Sequence, residues 1–200
     1  MIRSALFIKL LMFSLFLTFK TMAYEEATYS IVYQNDVYEI RNYSDRLAIQ
    51  ANYTNQDGGF RRLFNYISGS NIDSTKINMT TPVTQSTKIS MTTPVNQSNE
   101  NGVKVMQFYL PSNFTKKNAP APSDKKLKLI IIEQGYYAVI KYSGRLTDKN
   151  FDKHRNILKD SLLKDNIEIL SSAIRATYNG PFTLPFMRRN EAMFRVVWKN

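Results

Sequence analysis

The sequence predicts an α+β fold: a distorted antiparallel β-barrel of two similar βαβ-type halves, with two helices packed against it. Three observations predict it. Stretches in which apolar residues alternate with polar ones make up most of the chain, two stripes of helical period interrupt them, and a tyrosine-rich strand followed by a helix occurs twice. "YEIRNYSDRLA" ahead of the first helix resembles "YYAVIKYSGRL" ahead of the second, so the halves divide near residue 120. A chain of 200 residues is long enough to bury one sizeable core.

The elements follow in order. The opening "MIRSALFIKLLMFSLFLTFKTMA" has Arg3, an apolar stretch and a small-residue site at Thr21-x-Ala23, which is the layout of a secretory signal peptide over 1–23 with Tyr24 as the mature start. This implies a periplasmic or secreted protein whose domain spans 24–200. Lys9 and Lys20 interrupt that layout, and the alternative is an N-terminal membrane anchor, although Leu10 to Phe19 is too short to cross a hydrocarbon core of roughly 30 Å as a helix. Next, "VYQNDVYEIRNYSDRLAIQANYT" reads as two strands around a turn at Asn42 to Asp45. "QDGGFRRLFNYISGSN" reads as a helix that starts after Gly58-Gly59 and ends at Gly69, with Phe60, Leu63, Phe64 and Ile67 on one core-facing stripe.

"KINMTTPVTQSTKISMTTPVNQS" then states one strand twice. Residues 76–86 and 88–98 agree at nine of eleven positions. Ile77, Met79, Thr81 and Val83, and again Ile89, Met91, Thr93 and Val95, alternate as one buried face, and Pro82 and Pro94 end or bulge each copy. "VKVMQFYLPSNF" is a further strand closed by Pro111, and "KKNAPAPSDKK" is a long loop. "LKLIIIEQGYYAVIKYSG" forms two strands around Gln134-Gly135. "RLTDKNFDKHRNILKDSLLKDN" is the longest helix, capped by Thr147 or Asp148, with Phe151, His154, Leu158 and Leu162 along one side. "SAIRATY" and "AMFRVVW" are strands flanking the loop "NGPFTLPFMRRNE".

Composition narrows the chemistry. There is no cysteine, which excludes thiol catalysis, disulfides and Cys-ligated metal, and the single histidine, His154, excludes multi-histidine zinc sites. No Gly-x-Ser-x-Gly elbow occurs and the carboxylates are dispersed, so the expectation is that the protein is not an enzyme. The net charge is +11, and residues 1–23 carry only three of the basic residues and no acid, so the remainder stays basic. Such a balance favours acidic lipid surfaces or small carboxylates; nucleic acid is set aside because the chain is exported and its basic residues are scattered.

"FRRLFNYISGSN", the doubled "KI(N/S)MTTPV", "APAPSD" and "PFMRRNE", in this order, resemble the SOUL heme-binding protein family over about residues 29–198. The resemblance implies a distorted barrel of two similar halves and noncovalent binding of heme or related tetrapyrroles in a hydrophobic cleft beside the first helix. It places Phe60, Phe64, Tyr178 and Leu184 at that cleft. Phe182, Phe186, Met79 and Met91 join them by apolar bulk and predicted facing, and Arg61, Arg62, Arg188 and Arg189 are candidates for the propionates. The alternative for "RRNE" is a brace between the loop and the last strand. Family members with an iron-ligating histidine find no counterpart here, and His154 reads as a packed helix residue; Tyr178, a methionine or no residue would hold the iron, so the metal ligand is unassigned. The functional expectation is a tetrapyrrole carrier or buffer, with a general pocket for amphipathic small molecules or lipids as the alternative.

Overall fold

The structure, a computed structural model, describes residues 24–88 and 103–199. Residues 1–23, read above as a signal peptide, and the second copy of the repeat from Ile89 on, with Met91, lie outside the described residues. The elements are β1 (Glu25–Glu26), β2 (Tyr29–Gln34), β3 (Glu39–Tyr43), β4 (Arg46–Asn52), α1 (Gln56–Ile67), β5 (Thr80–Thr81) and β6 (Val83–Lys88). They continue with β7 (Val103–Tyr109), β8 (Leu127–Ile132), β9 (Gly135–Tyr142), α2 (Asp148–Lys164), β10 (Ile174–Thr177) and β11 (Asn190–Val196). Nine strands form one curled antiparallel sheet in the order β2-β3-β9-β11-β10-β6-β7-β4-β8, and β1 pairs in parallel with β5.

The two expected halves are present, each as strand–helix–strand–strand: β4-α1-β6-β7 and β9-α2-β10-β11. Helix α1 packs on β4 and β7, and α2 packs on β9 and β11. The halves join where β10 runs beside β6, with Thr177 opposite Val83. The strand preceding each half crosses to the other: β3 pairs with β9, and β8 with β4. The turns at 42–45 and Gln134-Gly135 therefore join strands of different halves and are not hairpins. The repeat is also offset from its sequence match. Tyr-Ser-x-Arg-Leu aligns β3 with β9, yet those strands lie side by side and β9 is the counterpart of β4; alternation marks a strand but carries no information on its hydrogen-bonding partner.

The core splits by face. Under α2 lie Ile40, Ala138, Ile140, Phe151, Leu158, Leu162 and Phe194. Under α1 lie Ile49, Leu63, Tyr66, Ile67, Ile77, Met106 and Phe108. Tyr137 and Val139, the alternate residues of β9, point to the face without helices, where they meet Tyr43, Ala176 and Met193.

Helix α1 begins earlier than expected, capped by Asn55, whose side chain accepts from the Asp57 N–H. Its buried residues are Gly59, Leu63, Tyr66 and Ile67, so the core-facing stripe is rotated from the expected one and Phe60 and Phe64 are left outside it. Two residues explain the rotation. Tyr66 is buried because its hydroxyl donates to the Pro120 carbonyl at 2.8 Å, and Gly59 lies so close to Tyr53 that a Cβ there would stand 3.0 Å from the Tyr53 Cβ. Helix α2 follows its prediction: Thr147 caps it and Phe151, Leu158 and Leu162 are buried.

The first repeat copy departs from simple alternation. Ile77 is buried, Met79 packs partly against the α1 core, and the buried set then passes to Thr80 and Thr84. The chain changes sheets at Pro82, from β5 on β1 to β6 between β7 and β10, and a residue without an N–H suits that break between ladders. Thr80 satisfies its buried hydroxyl by donating to the Tyr109 carbonyl at 2.5 Å.

Candidate ligand cleft

The rotation of α1 leaves a flat aromatic surface. Phe60 and Phe64 are 40% and 46% exposed, and their rings lie nearly parallel, 12° apart, with centroids at 6.0 Å. Phe60 rests edge-on against the buried Phe108 at 5.3 Å, which fixes the pair to the sheet.

The loop between β10 and β11 offers a second apolar surface. Phe182, Leu184, Phe186 and Met187 are 98%, 54%, 74% and 64% exposed. Their backbone is nevertheless tied down. Arg188 donates from Nε to the Thr183 carbonyl at 2.9 Å and from Nη2 to the Pro181 carbonyl at 2.6 Å. The Gly144 N–H donates to the Pro185 carbonyl at 2.8 Å, and the Arg189 N–H to Asn179 Oδ1 at 2.6 Å. Apolar side chains held outward by a braced backbone are a mark of a binding surface.

Strand register relates the two surfaces. Phe108 pairs with Val83, and Val83 pairs with Thr177, the last residue of β10. Two strand spacings, about 10 Å, thus separate the strand under Phe60 from the point where the loop leaves the sheet. The fold thereby sets Phe60 and Phe64 along the same end of the sheet as Phe182, Leu184 and Phe186. Exposed Arg61 makes no ion pair among the described residues, and Arg62 is 3.7 Å from Asp124 across a half-exposed gap. Met79 packs into the α1 core, on the buried side of the helix.

Tyr178 and the late arginines go elsewhere. Tyr178 packs on the face without helices and donates from its hydroxyl to Glu191 Oε2 at 2.7 Å. Arg189 stacks over that ring at 3.8 Å, reaches Glu191 Oε1 from Nε at 3.0 Å, and holds both oxygens of Glu26 at 2.8 and 3.0 Å. "RRNE" is the brace that the alternative reading describes. At its centre is Arg41, fully buried, paired to both oxygens of Glu191 at 2.8 and 2.9 Å, to Glu39, and to the Tyr43 hydroxyl at 2.9 Å. Burial works against the charge of Glu191, but the bonds and charge of Arg41, with Tyr178 and Arg189, outweigh it and hold the carboxyl below its usual 4.5. Burial and the neighbouring Glu191 charge push the Tyr178 phenol well up. Beside this network Arg46 lies over the rings of Tyr43 and Tyr109, at 4.1 and 4.8 Å, and borders a cavity of about 400 Å³ also lined by Glu26, Thr80 and Phe114. Sequence reading passed over Arg41 because nothing in "EIRNY" distinguishes a buried arginine from an exposed one; the only signal was an arginine on the alternation phase of Glu39 and Tyr43.

The residues fit the organic part of a heme better than its iron. The aromatic surfaces suit a flat macrocycle, and Arg61 and Arg62 border them with cationic donors for carboxylates. Tyr178 is committed to Glu191. His154 stacks on Tyr142 at 4.1 Å and donates from Nδ1 to the Asn150 carbonyl at 2.7 Å, a packed helix residue on the α2 side. The thioether of Met187 is the exposed soft donor on the loop. Among the described residues no three histidine, aspartate or glutamate side chains are grouped to hold a metal ion.

Fold and surface together define a curled α+β half-barrel of two similar halves with exposed apolar side chains on its first helix and on the loop between β10 and β11. The chain belongs to the SOUL heme-binding protein family, whose model matches residues 24–195. Similar solved structures share the fold at low identity. The EcmrR C-terminal domain matches with a TM-score of 0.57 at 9% identity, covering 84% of this chain and 99% of that one. A protein described as a hydrolase from Listeria innocua matches with a TM-score of 0.57 at 7% identity, covering 83% and 94%, and an uncharacterized conserved protein from Listeria innocua with 0.56 at 7%, covering 88% and 94%. A search of curated protein sequences returned no match.

Proposed function

We propose that the protein binds heme or a related tetrapyrrole noncovalently on the apolar surface between α1 and the 178–189 loop, acting as an exported carrier or buffer without catalysis. One observation carries this reading: the parallel Phe60 and Phe64 rings and the outward Phe182, Leu184 and Phe186 stand at one end of the sheet on backbone that is held in place. A macrocycle lying on Phe60 and Phe64 covers apolar area that water otherwise wets, and Arg61 and Arg62 meet its carboxylates. A second reading, a surface for amphipathic molecules in general, is favoured by a separate observation. Tyr178 and His154 are both engaged within the fold, so selection by the iron itself has weak support.

Hemin titration, followed in the Soret region with metal-free protoporphyrin and apolar dyes as competitors, separates the two. Saturable one-to-one binding that protoporphyrin displaces and dyes do not is the expected result. Displacement by dyes at equal concentration assigns the surface to amphipathic molecules generally, and binding without saturation removes the site.

A further inference from the structure

Strand β4 opens on Arg46, a charge that the fold does not balance. Leu47, Ile49 and Ala51 face the α1 core, so Arg46 is turned to the face without helices. There its guanidinium lies over three tyrosine rings, Tyr43 at 4.1 Å, Tyr109 at 4.8 Å and Tyr137 at 5.3 Å. Arg46 Nε and Nη2 are buried without a hydrogen-bond acceptor, and among the described residues no carboxylate stands within ion-pair distance of it. The Tyr137 hydroxyl meets Arg46, but burial raises that phenol and keeps it neutral, so it balances no charge. Arg41, by contrast, spends its donors on Glu191, Glu39 and Tyr43. Ring faces attract a guanidinium without filling its donors, and a buried donor left unmade is costly.

Arg46 also lines the cavity of about 400 Å³ between β1, the start of β4 and the chain after β7. Tyr109, Leu110, Pro111 and Phe114 give that cavity an apolar wall. Small-molecule pockets run from roughly 300 to 1,000 Å³, so this one suits a compact ligand and not a macrocycle. Three carboxylates stand in the lining, and each has a partner. Glu25 accepts from the Ser112 N–H at 2.8 Å, Glu26 holds Arg189 with both oxygens at 2.8 and 3.0 Å, and Asp45 accepts from the Gln134 N–H at 2.7 Å. Arg46 is therefore the lining group with donors to spare. The acids set a limit of their own, because they repel an anion that carries more than one charge.

We propose that this cavity is a second ligand site, for a compact organic monocarboxylate that pairs with Arg46 and lays its apolar body on the wall of Tyr109 and Phe114. A guanidinium is a planar fork of donors that a carboxylate matches with two parallel bonds, and a turn of the Arg46 side chain within its tyrosines presents that edge to the cavity. The site does not rest on the tetrapyrrole reading. Phe60 rests on Phe108, on the α1 face of the sheet, whereas the next residue, Tyr109, points to the other face and meets Arg46.

Amide NMR of the isotopically labelled full chain, titrated with phenylpropionate, reads the site directly. Saturable shifts are expected at the amides of Arg46, Leu47, Leu110 and Ser112, with none at Phe60, Phe64 or Phe182. Phenylpropionamide has the same shape without the charge, and inorganic phosphate has the charge without the apolar body. Each is expected to bind about tenfold more weakly or worse. Arg46→Gln should weaken phenylpropionate binding by a similar factor, and hemin titration of that variant should be unchanged, which separates this site from the cleft beside α1. Arg46→Lys keeps a charge against the rings but loses the fork, and it should weaken binding several-fold, a second readout if the glutamine variant does not fold. Equal binding of the amide, shifts that gather at Phe60 and Phe182, absence of saturable shifts, or full affinity in a folded Arg46→Gln overturns the proposal.

Discussion

The fully buried Arg41 decides more than its place in the sequence implies. It bridges Glu191 and Glu39, and its removal leaves Glu191 to Arg189 and Tyr178 and Glu39 to Lys141. Arg41→Ala is expected to cost about 3–5 kcal/mol, because two buried carboxylates then keep only the partly exposed Arg189 and Lys141 as cationic partners, and breaking a buried pair costs far more than the pair stabilises; urea denaturation measures it. Glu191 gives the same network a pH signature. Its carboxyl titrates lower in the folded protein than in the unfolded chain, so the stability it contributes is complete above the ordinary value of 4.5 and is lost as pH falls through the folded value. The melting temperature should drop steeply below that point in the native protein, and Glu191→Gln, starting lower, should show a flatter acid limb. At the candidate cleft, Phe64→Ala removes one of two parallel rings and is expected to weaken hemin binding roughly ten- to thirtyfold, about 1–2 kcal/mol. His154→Ala should leave that affinity unchanged; equal losses from both would move the site away from α1.

At the scale of elements, the helices are held by different means. α2 relies on its cap, where the Thr147 side chain accepts from the Asn150 N–H at 3.2 Å, and Thr147→Ala should cost about 1 kcal/mol in thermal or chemical unfolding. α1 depends on its tertiary contacts, since Tyr66 and Gly59 set the face it buries. The 178–189 loop depends on Arg188, which bonds two carbonyls within it. Arg188→Ala should lower hemin affinity several-fold with little change in melting temperature, because the apolar side chains lose their fixed placement while the sheet keeps its ladders. An unfolding shift as large as that of Arg41→Ala would make Arg188 a part of the core instead.

Across the whole molecule, the sequence determined the kinds of element and their count of halves. Alternating strands, the Thr147-capped helix, and a division near residue 120 all follow from local periodicity and capping, which neighbouring residues decide among themselves. The apolar residues Phe60, Phe64, Phe182, Leu184 and Phe186, exposed in the fold, also stand out in the sequence by type, in a turn-rich loop or beside arginines. Only the tertiary structure decided the rest. It chose which strands pair across the two halves, rotated α1 by the demands of Tyr66 and Tyr53, and drew Tyr178 and Arg189 from the expected cleft to close, with Glu191, around Arg41. Pairing partners, close approach of one backbone to another ring, and the burial of a charge are long-range choices. They depend on residues scores of positions apart, and no window of local sequence contains them.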